Sequence, residues 1–334
     1  MIYITGDTHG DFTRFSNRHL ERKGLHLTAE DYVIVCGDLG LCWAPDNTFA
    51  YHCRFFEEKP YTILWVQGNH ENYDMLKKYA PEEWNGGMVR HIVRDKVILL
   101  ERGQVFCIGG KTFFAFGGAS SHDIQGGVLD RRDPDFRSKV KQADIQGLPY
   151  RILRESWWPE ELPSTKEMFE GLKNLGKIDN EVDYIITHCC ATGIQSILDS
   201  GPGHLYEPDI LTDYFEQIEE KIHYKHWYFG HYHMDIKVDS RHTLLYHTIV
   251  SLEDMGVGLS GAPMPGKPVY QHGDIVTFFT FRKEKKTGKI TVIDAYGTFE
   301  QKEEPSYDIH VAEDRCLYKH ILESEIIGRT DNGL

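Results

Sequence analysis

The 334-residue sequence contains no CxxC pair, no long uninterrupted apolar run and no visible internal repeat. Without a CxxC pair, the usual spacing of a structural zinc site is excluded. The seven cysteines lie mostly in apolar segments, which indicates reduced, buried thiols. Basic residues are also few, with 37 Lys and Arg against 51 Asp and Glu and a net charge of −14. This balance argues against general electrostatic binding to nucleic acid or to anionic lipid.

No basic segment and no long apolar stretch precede the first apolar run, at residues 2–4. A signal peptide would begin with such a segment, and a membrane span would need about 20 apolar residues. The sequence therefore predicts a soluble, cytoplasmic protein without membrane contacts.

Five apolar runs typical of buried strands are each followed closely by side chains that bind metals. The runs are residues 2–4, 32–35, 62–66, 184–186 and 227–229. The side chains that follow them are Asp7 and His9, then Asp38, then Asn69 and His70, then His188, and finally His231 and His233. Ligands of open α/β sheets bind outside the carboxyl ends of the strands. We therefore expect these groups at one edge of one sheet, where they can hold two divalent cations.

The five clusters differ in how specific they are when each is taken alone. Asp7 and His9 are two residues apart and so share one side of an extended chain, but this pattern is common by chance. Asp38 ends an apolar strand, where a carboxylate either binds a partner or caps the next helix. The string 68–71, Gly-Asn-His-Glu, is the most specific. Lone histidines such as His188 are usually surface residues or core residues with satisfied hydrogen bonds. The prediction of a metal site therefore depends on the order of all five clusters and not on any one of them.

Over about residues 1–250, the sequence resembles the calcineurin-like metallophosphoesterase family. The resemblance lies in the order of its motifs, which are D-x-H, G-D, G-N-H-[DE], H and G-H-x-H. The resemblance implies two metal ions in one centre. One ion would be held by Asp7, His9, Asp38 and His233. Asp38 would bridge to the second ion, which Asn69, His188 and His231 would complete.

The same resemblance implies hydrolysis of a phosphate ester by a metal-bridging hydroxide, with His70 as general acid and with Asp38 and Asn69 as further catalytic residues. Histidine and carboxylate ligands suit Mn, Fe, Zn or Ni better than Ca, and family usage favours Mn. The substrate class then includes nucleotides and nucleic acid.

Three positions depart from the phosphoprotein phosphatase branch of that family. Leu41, Cys42 and Gln67 stand where that branch has an Asp and two Arg residues. Such arginines clamp a phosphoryl group through paired hydrogen bonds. Their absence favours a phosphodiesterase, leaves a small-molecule phosphomonoesterase open, and leaves the group that orients His70 unassigned. A non-catalytic binding scaffold on the same fold is the alternative of another class, and the complete ligand set argues against it.

The alternation of strand-like and helical patterns predicts an α/β fold, a layered sandwich of mixed sheets flanked by helices, over residues 1–255. Helices are expected over 47–58 with Asp46 as N-cap, from a capping box at Ser164, and from Pro208. A linker rich in Gly and Pro follows at 256–268. Residues 267–334 are expected to form a small all-β, barrel-like appendage with a hairpin turn at 286–288.

The segment at about 120–163 is polar and rich in Gly, Pro and Trp, and predicts an irregular, lid-like insertion that shapes the substrate pocket. The substrate-binding candidates are His122, Asp123, Arg131, Arg132, Arg151 and Trp157. The arginines would contact phosphate, and the tryptophan would stack on a base or sugar. The alternative is that the arginines are solvated and the tryptophan packs the insertion onto the core. The acidic segment 300–304 favours a protein partner or a homo-oligomer contact for the appendage.

Overall fold

The structure is a computed structural model and describes residues 1–198, 206–261, 268–280, 283–294, 304–314 and 316–330. The strands are β1 (Ile2–Thr5), β2 (Tyr32–Val35), β3 (Thr62–Trp65), β4 (Pro81–Trp84), β5 (Gly87–Val93), β6 (Val97–Leu100), β7 (Gln104–Ile108), β8 (Lys111–Phe116), β9 (Val128–Leu129), β10 (Arg151–Ile152), β11 (Tyr184–Thr187), β12 (His226–Phe229), β13 (Ile236–Lys237), β14 (His242–Leu244), β15 (Val250–Ser251), β16 (Ser260–Gly261), β17 (Ile275–Phe279), β18 (Lys285–Asp294), β19 (Ser306–Val311), β20 (Cys316–Leu322) and β21 (Ile326–Arg329).

The α-helices are α1 (Asn17–Arg22), α2 (Asn47–Glu57), α3 (Tyr73–Leu76), α4 (Phe136–Gln146), α5 (Thr165–Gly176), α6 (Thr192–Leu198) and α7 (Ile210–Lys221). Short 3-10 turns lie at Thr13–Phe15, Pro159–Glu161, Leu252–Asp254 and Glu323–Glu325. The chain falls into two compact units, one formed by Met1–Thr192 with Pro208–Ser260 and the other by Gly193–Glu207 with Gly261–Leu334.

The first unit contains two large mixed sheets. The first sheet has the order β15-β1-β2-β3-β6-β5-β4, and its β1, β2, β3 and β6 are parallel neighbours. The second sheet has the order β16-β13-β14-β12-β11-β8-β7, and its β8, β11, β12 and β14 are parallel neighbours. Parallel strands buried on both faces account for the continuous apolar runs in the sequence.

Alternate residues of each strand enter different apolar layers, because successive side chains point to opposite faces of a sheet. Ile2 and Ile4 pack with Phe113 and Ile186 of the second sheet, which places one core between the sheets. Tyr3 belongs instead to a core on the outer face. On the outer face of the second sheet, Phe215 of α7 contacts Phe116 and Trp227, with ring centroids 5.6 Å apart in both cases. The layered α/β sandwich is therefore confirmed.

Three helix predictions can be compared with the structure. Asp46 caps α2, and the Ser164 capping box opens α5 as expected. The helix predicted from Pro208 begins at Ile210 instead. Its N-cap is Asp209, whose carboxylate accepts hydrogen bonds from the backbone N–H groups of Leu211 and Thr212. The Asp209 side chain satisfies the free N–H groups of the first turn. It therefore determines the start of this helix more strongly than Pro208 does.

The expectation that residues 120–163 form only irregular loop was wrong. The segment contains the parallel pair β9 and β10 and the 11-residue helix α4. Ala143 is the only fully buried residue of α4, so the helix shows no apolar stripe that would have revealed it in the sequence.

The second unit contains a five-stranded antiparallel sheet with the order β20-β19-β18-β17-β21, which confirms the all-β appendage. The turn predicted at 286–288 was wrong, because these residues lie inside β18, whose Lys285 pairs with Phe279 of β17. Gly288 allows two strands to approach closely, because a Cβ there would lie 2.6 Å from the carbonyl oxygen of His310. Residues 262–267 of the predicted linker and residues 300–303 of the acidic segment lie outside the described residues.

Among the residues that the structure describes, no helix has both the length and the apolar character needed to cross a membrane.

Candidate metal centre and active site

The predicted metal ligands converge at the carboxyl ends of parallel strands. Those that follow β1, β2 and β3 come from the first sheet, and those that follow β11 and β12 come from the second. The expectation of a single sheet edge was therefore wrong, because the centre lies where the ends of two sheets meet. The sheets are joined there by the His188 ring, whose Nδ1 lies 2.8 Å from the carbonyl oxygen of Cys36.

One group of donor atoms is formed by Asp7, His9 and His233. The Nε2 atoms of the two histidines lie 2.9 Å apart. Asp7 Oδ2 lies 3.2 Å from His233 Nε2 and 3.7 Å from His9 Nε2. Two imidazole nitrogens and a carboxylate oxygen pointing at one space form a suitable donor set for a transition metal.

The second group of donor atoms is centred on Asp38, Asn69 and His188. His188 Nε2 lies 3.4 Å from Asp38 Oδ2 and 3.1 Å from Asn69 Oδ1. The His188 Nδ1–H donates to the carbonyl of Cys36, which leaves Nε2 as the nitrogen available to a metal. The ring of His231 lies 5.0 Å from the ring of His188.

These two groups fit a pair of metal ions. Asp38 connects them, since its Oδ2 lies 3.8 Å from His9 Nδ1 as well as 3.4 Å from His188 Nε2. Asp7 and Asp38 are fully buried carboxylates, and burying such charges is costly unless cations compensate them. All seven ligands predicted from the sequence lie in this cluster, with His70 beside them.

The backbone at several ligands is in an unusual conformation. His9, Asp38, His231 and His233 all have positive φ angles of 46–72°. Residues with a Cβ adopt this left-handed region at a cost of about 1–3 kcal/mol each, and such residues cluster at functional sites. The conformation therefore supports a functional role for these four residues.

Neighbouring charges act strongly on the buried groups. Burial by itself would raise the pKa of Asp38, but His188 and nearby imidazoles hold that pKa far below its usual range. Burial opposes the charged form of His188, whereas Asp38 and Asp7 raise its pKa to about 9. The Asp38 carboxylate is thus ionised and ready to bind a cation.

His70 contacts Arg151, a residue of the insertion that was predicted to bind the substrate. Arg151 Nη2 lies 3.0 Å from His70 Nε2, and the guanidinium donates to both oxygens of Asp123 at 2.7 and 2.8 Å. The His70 backbone N–H donates to Asp38 Oδ1 at 2.7 Å. Burial and then the charge of Arg151 lower the pKa of His70 to about 4. Two predicted substrate contacts, Arg151 and Asp123, therefore border the centre as a pair.

A buried hydrogen-bond chain that the sequence analysis missed fixes the side chain of Asn69. Asn69 Nδ2 donates to Ser121 Oγ at 3.2 Å, and Ser121 Oγ donates to Glu161 Oε2 at 2.7 Å. Glu161 Oε1 also accepts from the Ser121 backbone N–H and from Trp157 Nε1. The chain turns the amide oxygen of Asn69 toward His188. Glu161 carried no sequence signal, because its partners lie 4 and 40 residues away.

Replacing Ser121 with alanine should weaken binding of the metal that Asn69 is predicted to ligate. Without the Ser121 hydroxyl, the amide of Asn69 loses the contact that keeps its oxygen toward the centre. Loss of such an outer contact typically costs about 10–100-fold in metal affinity. Titration of the metal-free protein with Mn would measure the change, and Ser120→Ala is the matched control. Equal affinities for the Ser121 variant and the wild type would contradict the role of the chain.

Glu161 should make the stability of the protein depend on pH. Burial raises the pKa of Glu161 to about 7, although the hydrogen bonds from Ser121 and Trp157 act in the opposite direction. The raised pKa means that its contribution to folding is complete below about pH 4.5 and is lost as the pH rises through 7. Glu161→Gln should therefore gain up to about 3 kcal/mol over the wild type between pH 5 and pH 8. Urea unfolding in EDTA tests this, and parallel pH profiles would contradict it.

The remaining substrate-binding candidates lie in different surroundings. His122 borders the centre, with its ring 6.0 Å from that of His231. Arg131 and Arg132 form exposed ion pairs with Glu155 and Asp130. Within the described part of the chain, no polar contact joins these two arginines to the centre. Trp157 donates to Glu161, so its indole N–H takes part in the hydrogen-bond chain.

The fold and the donor groups define a metal-dependent hydrolase of phosphate esters, of a kind that uses a dinuclear centre. Residues 1–235 match the family model described as calcineurin-like phosphoesterase, and the chain belongs to that family. A comparison with curated proteins gave no match. Among solved structures, the phosphopantetheinyl hydrolase (PptH) of Mycobacterium tuberculosis matches with a TM-score of 0.33 and 11% identity, over 74% of this chain and 89% of that one.

Proposed function

We propose that this protein is a phosphodiesterase in which His70 protonates the leaving oxygen. The observation that carries the proposal is the contact of His70 with the Arg151–Asp123 pair, beside the Asp38 cluster. His70 is thereby held by two elements at once, through its backbone N–H and through its ring. A general acid must be positioned within hydrogen-bond reach of the oxygen that it serves.

Two divalent cations held by the seven ligands would supply water activation and charge neutralisation on the phosphoryl oxygens. The chain supplies the remaining functions. The Arg151 guanidinium lies next to His70 and can pair with a non-bridging phosphoryl oxygen, in place of the arginines missing at positions 42 and 67. When an anionic substrate pairs with Arg151, it offsets the positive charge that disfavours a proton on His70.

The charge around the centre favours a diester over a monoester. Arg151 is already neutralised by Asp123 through two hydrogen bonds. The other two arginines proposed for substrate binding, Arg131 and Arg132, are engaged in ion pairs at the surface. A phosphodiester carries one negative charge, whereas a monoester carries nearly two at neutral pH. The single, neutralised arginine therefore suits the less charged substrate.

Several finer assignments belong to the same proposal. Mn is the proposed metal in the cell, nucleotides or nucleic acid are the proposed source of the diester, and the cytoplasm is the proposed location. Residues 1–255 would form the catalytic domain, with 120–163 covering the centre. Residues 267–334 would form a separate domain that contacts a protein partner or a second copy.

The test compares hydrolysis of bis-p-nitrophenyl phosphate, p-nitrophenyl phosphate and oligonucleotides by the Mn-loaded enzyme, with Asp38→Asn as the blank. The expected result is a higher kcat/KM for the diester than for the monoester, and no turnover by the blank. A monoester preference would reject the phosphodiesterase assignment. Turnover by Asp38→Asn equal to that of the wild type would reject the centre itself.

A further inference from the structure

An open cleft of about 430 Å³ lies beside the metal centre and is not explained by the ligands. His9 and His70 form its boundary with the centre, and the side chains of Trp43, Phe49 and His52 contribute to the rest of its lining. Its volume lies within the range of about 300–1,000 Å³ that is usual for small-molecule sites. A group bound in this cleft would therefore lie next to His70.

The Trp43 ring is exposed yet held in place. It is 40% exposed, and it meets the ring of the buried Trp158 edge-on, with centroids 5.8 Å apart. Trp158 is fixed in turn, because its indole N–H donates to Asp74 Oδ2 at 2.9 Å. Asn72 Nδ2 donates to the backbone carbonyl of Trp43 at 2.8 Å. A large aromatic surface is thus open to solvent and prepared for a ligand before the ligand binds.

The lining also indicates the charge of the ligand. Among the described residues that line the cleft there is no Lys or Arg, so it does not suit a second phosphate group. Its one carboxylate, Asp46, is used as the cap of α2 and accepts the backbone N–H of Phe49 at 3.0 Å. The ring of His52 packs edge-on against Phe12, with centroids 4.7 Å apart. An uncharged planar ring matches this lining of aromatic groups without free cations.

We propose that the cleft binds the leaving alcohol of the substrate and that this alcohol is a nucleoside, whose base stacks on Trp43. The inference rests on the proposed function, since it takes His70 as the group that protonates the leaving oxygen. Water adds its oxygen to phosphorus and releases one proton to solvent, the P–O bond to the nucleoside breaks, and the nucleoside oxygen takes the proton of His70, which solvent then replaces. The products are a nucleoside and a phosphate ester of the other alcohol.

The experiment uses the Mn-loaded full-length enzyme and a diester with two primary alcohols, the methyl ester of adenosine 5′-phosphate. The methyl ester of ribose 5-phosphate is the comparison, because it differs only by the base. The wild type should release adenosine and methyl phosphate, and its kcat/KM should be about 10-fold or more higher for the substrate with the base. Release of methanol and adenosine 5′-phosphate, or equal rates for the two esters, would overturn the proposal.

Variants assign the effect to the cleft. Trp43→Ala should reduce the rate ratio between the two esters about 10-fold, and Trp43→Phe should retain most of it because a ring remains. Phe169→Ala is the matched control, since Phe169 is 68% exposed on α5 and does not line the cleft. A ratio that is unchanged in Trp43→Ala would overturn the assignment to Trp43.

A binding measurement separates this inference from the proposed function. Adenosine carries no phosphate, so its affinity does not depend on turnover. Calorimetry should detect adenosine binding to the wild type, and binding should be about 10-fold weaker for Trp43→Ala. If neither ester is hydrolysed but adenosine binds in this way, the phosphodiesterase assignment fails and the cleft assignment stands. If adenosine does not bind to the wild type, the cleft assignment fails.

Discussion

Replacement of His70 by alanine is expected to lower kcat on dialkyl phosphates by about 10²–10⁴-fold and to leave two metals bound. The alkoxide that leaves such substrates is a strong base, and it departs slowly unless a positioned group protonates it. Arg151 and the Asp38 carboxylate hold His70 at the edge of the centre, where it can reach that oxygen. Steady-state rates and metal content of the same preparations provide the measurement.

A diester with p-nitrophenyl leaving groups is the control substrate for this variant. Its leaving group is a weak base and needs little protonation, so the loss in kcat should be much smaller. One donor atom from each of His70, His9 and Asp38 lies within 4.8 Å of the other two, which is close enough for a single cation to bind all three. Loss of one metal in His70→Ala, with equal losses in kcat on both substrates, would therefore identify His70 as a ligand instead.

The second large effect is expected at a residue without a side chain. In Gly68→Ala the new Cβ would lie 1.9 Å from Asp38 Oδ1 and 2.6 Å from the Asp38 backbone nitrogen. Both distances are far below a normal contact, so the carboxylate must move. A displacement of about 1 Å at reacting groups can cost about 100-fold in rate. We expect kcat/KM to fall at least that far and metal retention to decrease.

Gly176→Ala is the matched control for this substitution, because no described atom beyond its own helix backbone and chain neighbours lies within 4 Å of the Cβ position there. That variant should keep full activity. Metal content after gel filtration and kcat/KM under saturating Mn should be measured for both variants. Wild-type activity of Gly68→Ala would show that Asp38 is not held by the close approach of residue 68.

The order of the clusters was sufficient to predict the sandwich and the convergence of the seven candidate ligands. Strand ends are local features, and parallel neighbours bring their carboxyl ends together wherever they lie along the chain. The participation of a second sheet was not predictable in the same way. It depends on the short connection between β6 and β7, where the chain passes from the first sheet to the second and leaves no mark in the ligand pattern.

The partners of the ligands were harder to predict than the ligands. Ser121 and Glu161 act through hydrogen bonds across 52 and 40 residues, and such pairs carry no fixed spacing. Arg151 and Asp123 were recognised as candidates, but their pairing with each other and with His70 became visible only in three dimensions. Trp43 drew no attention in the sequence, because an exposed tryptophan beside a cleft has the same local pattern as one in a core.

Two requirements conflict at the four residues with left-handed backbone conformation, namely a relaxed backbone and a side chain that can bind a metal. These residues are His9, Asp38, His231 and His233. Glycine would relax the backbone at these positions, but it offers no donor atom to a cation. The protein has donor side chains at these positions despite the strain. Bound ions can offset the strain, because ligands that bind only the folded state stabilise it. Chelation should thus loosen the loops at this end of the sandwich first, while the strands that carry them stay paired.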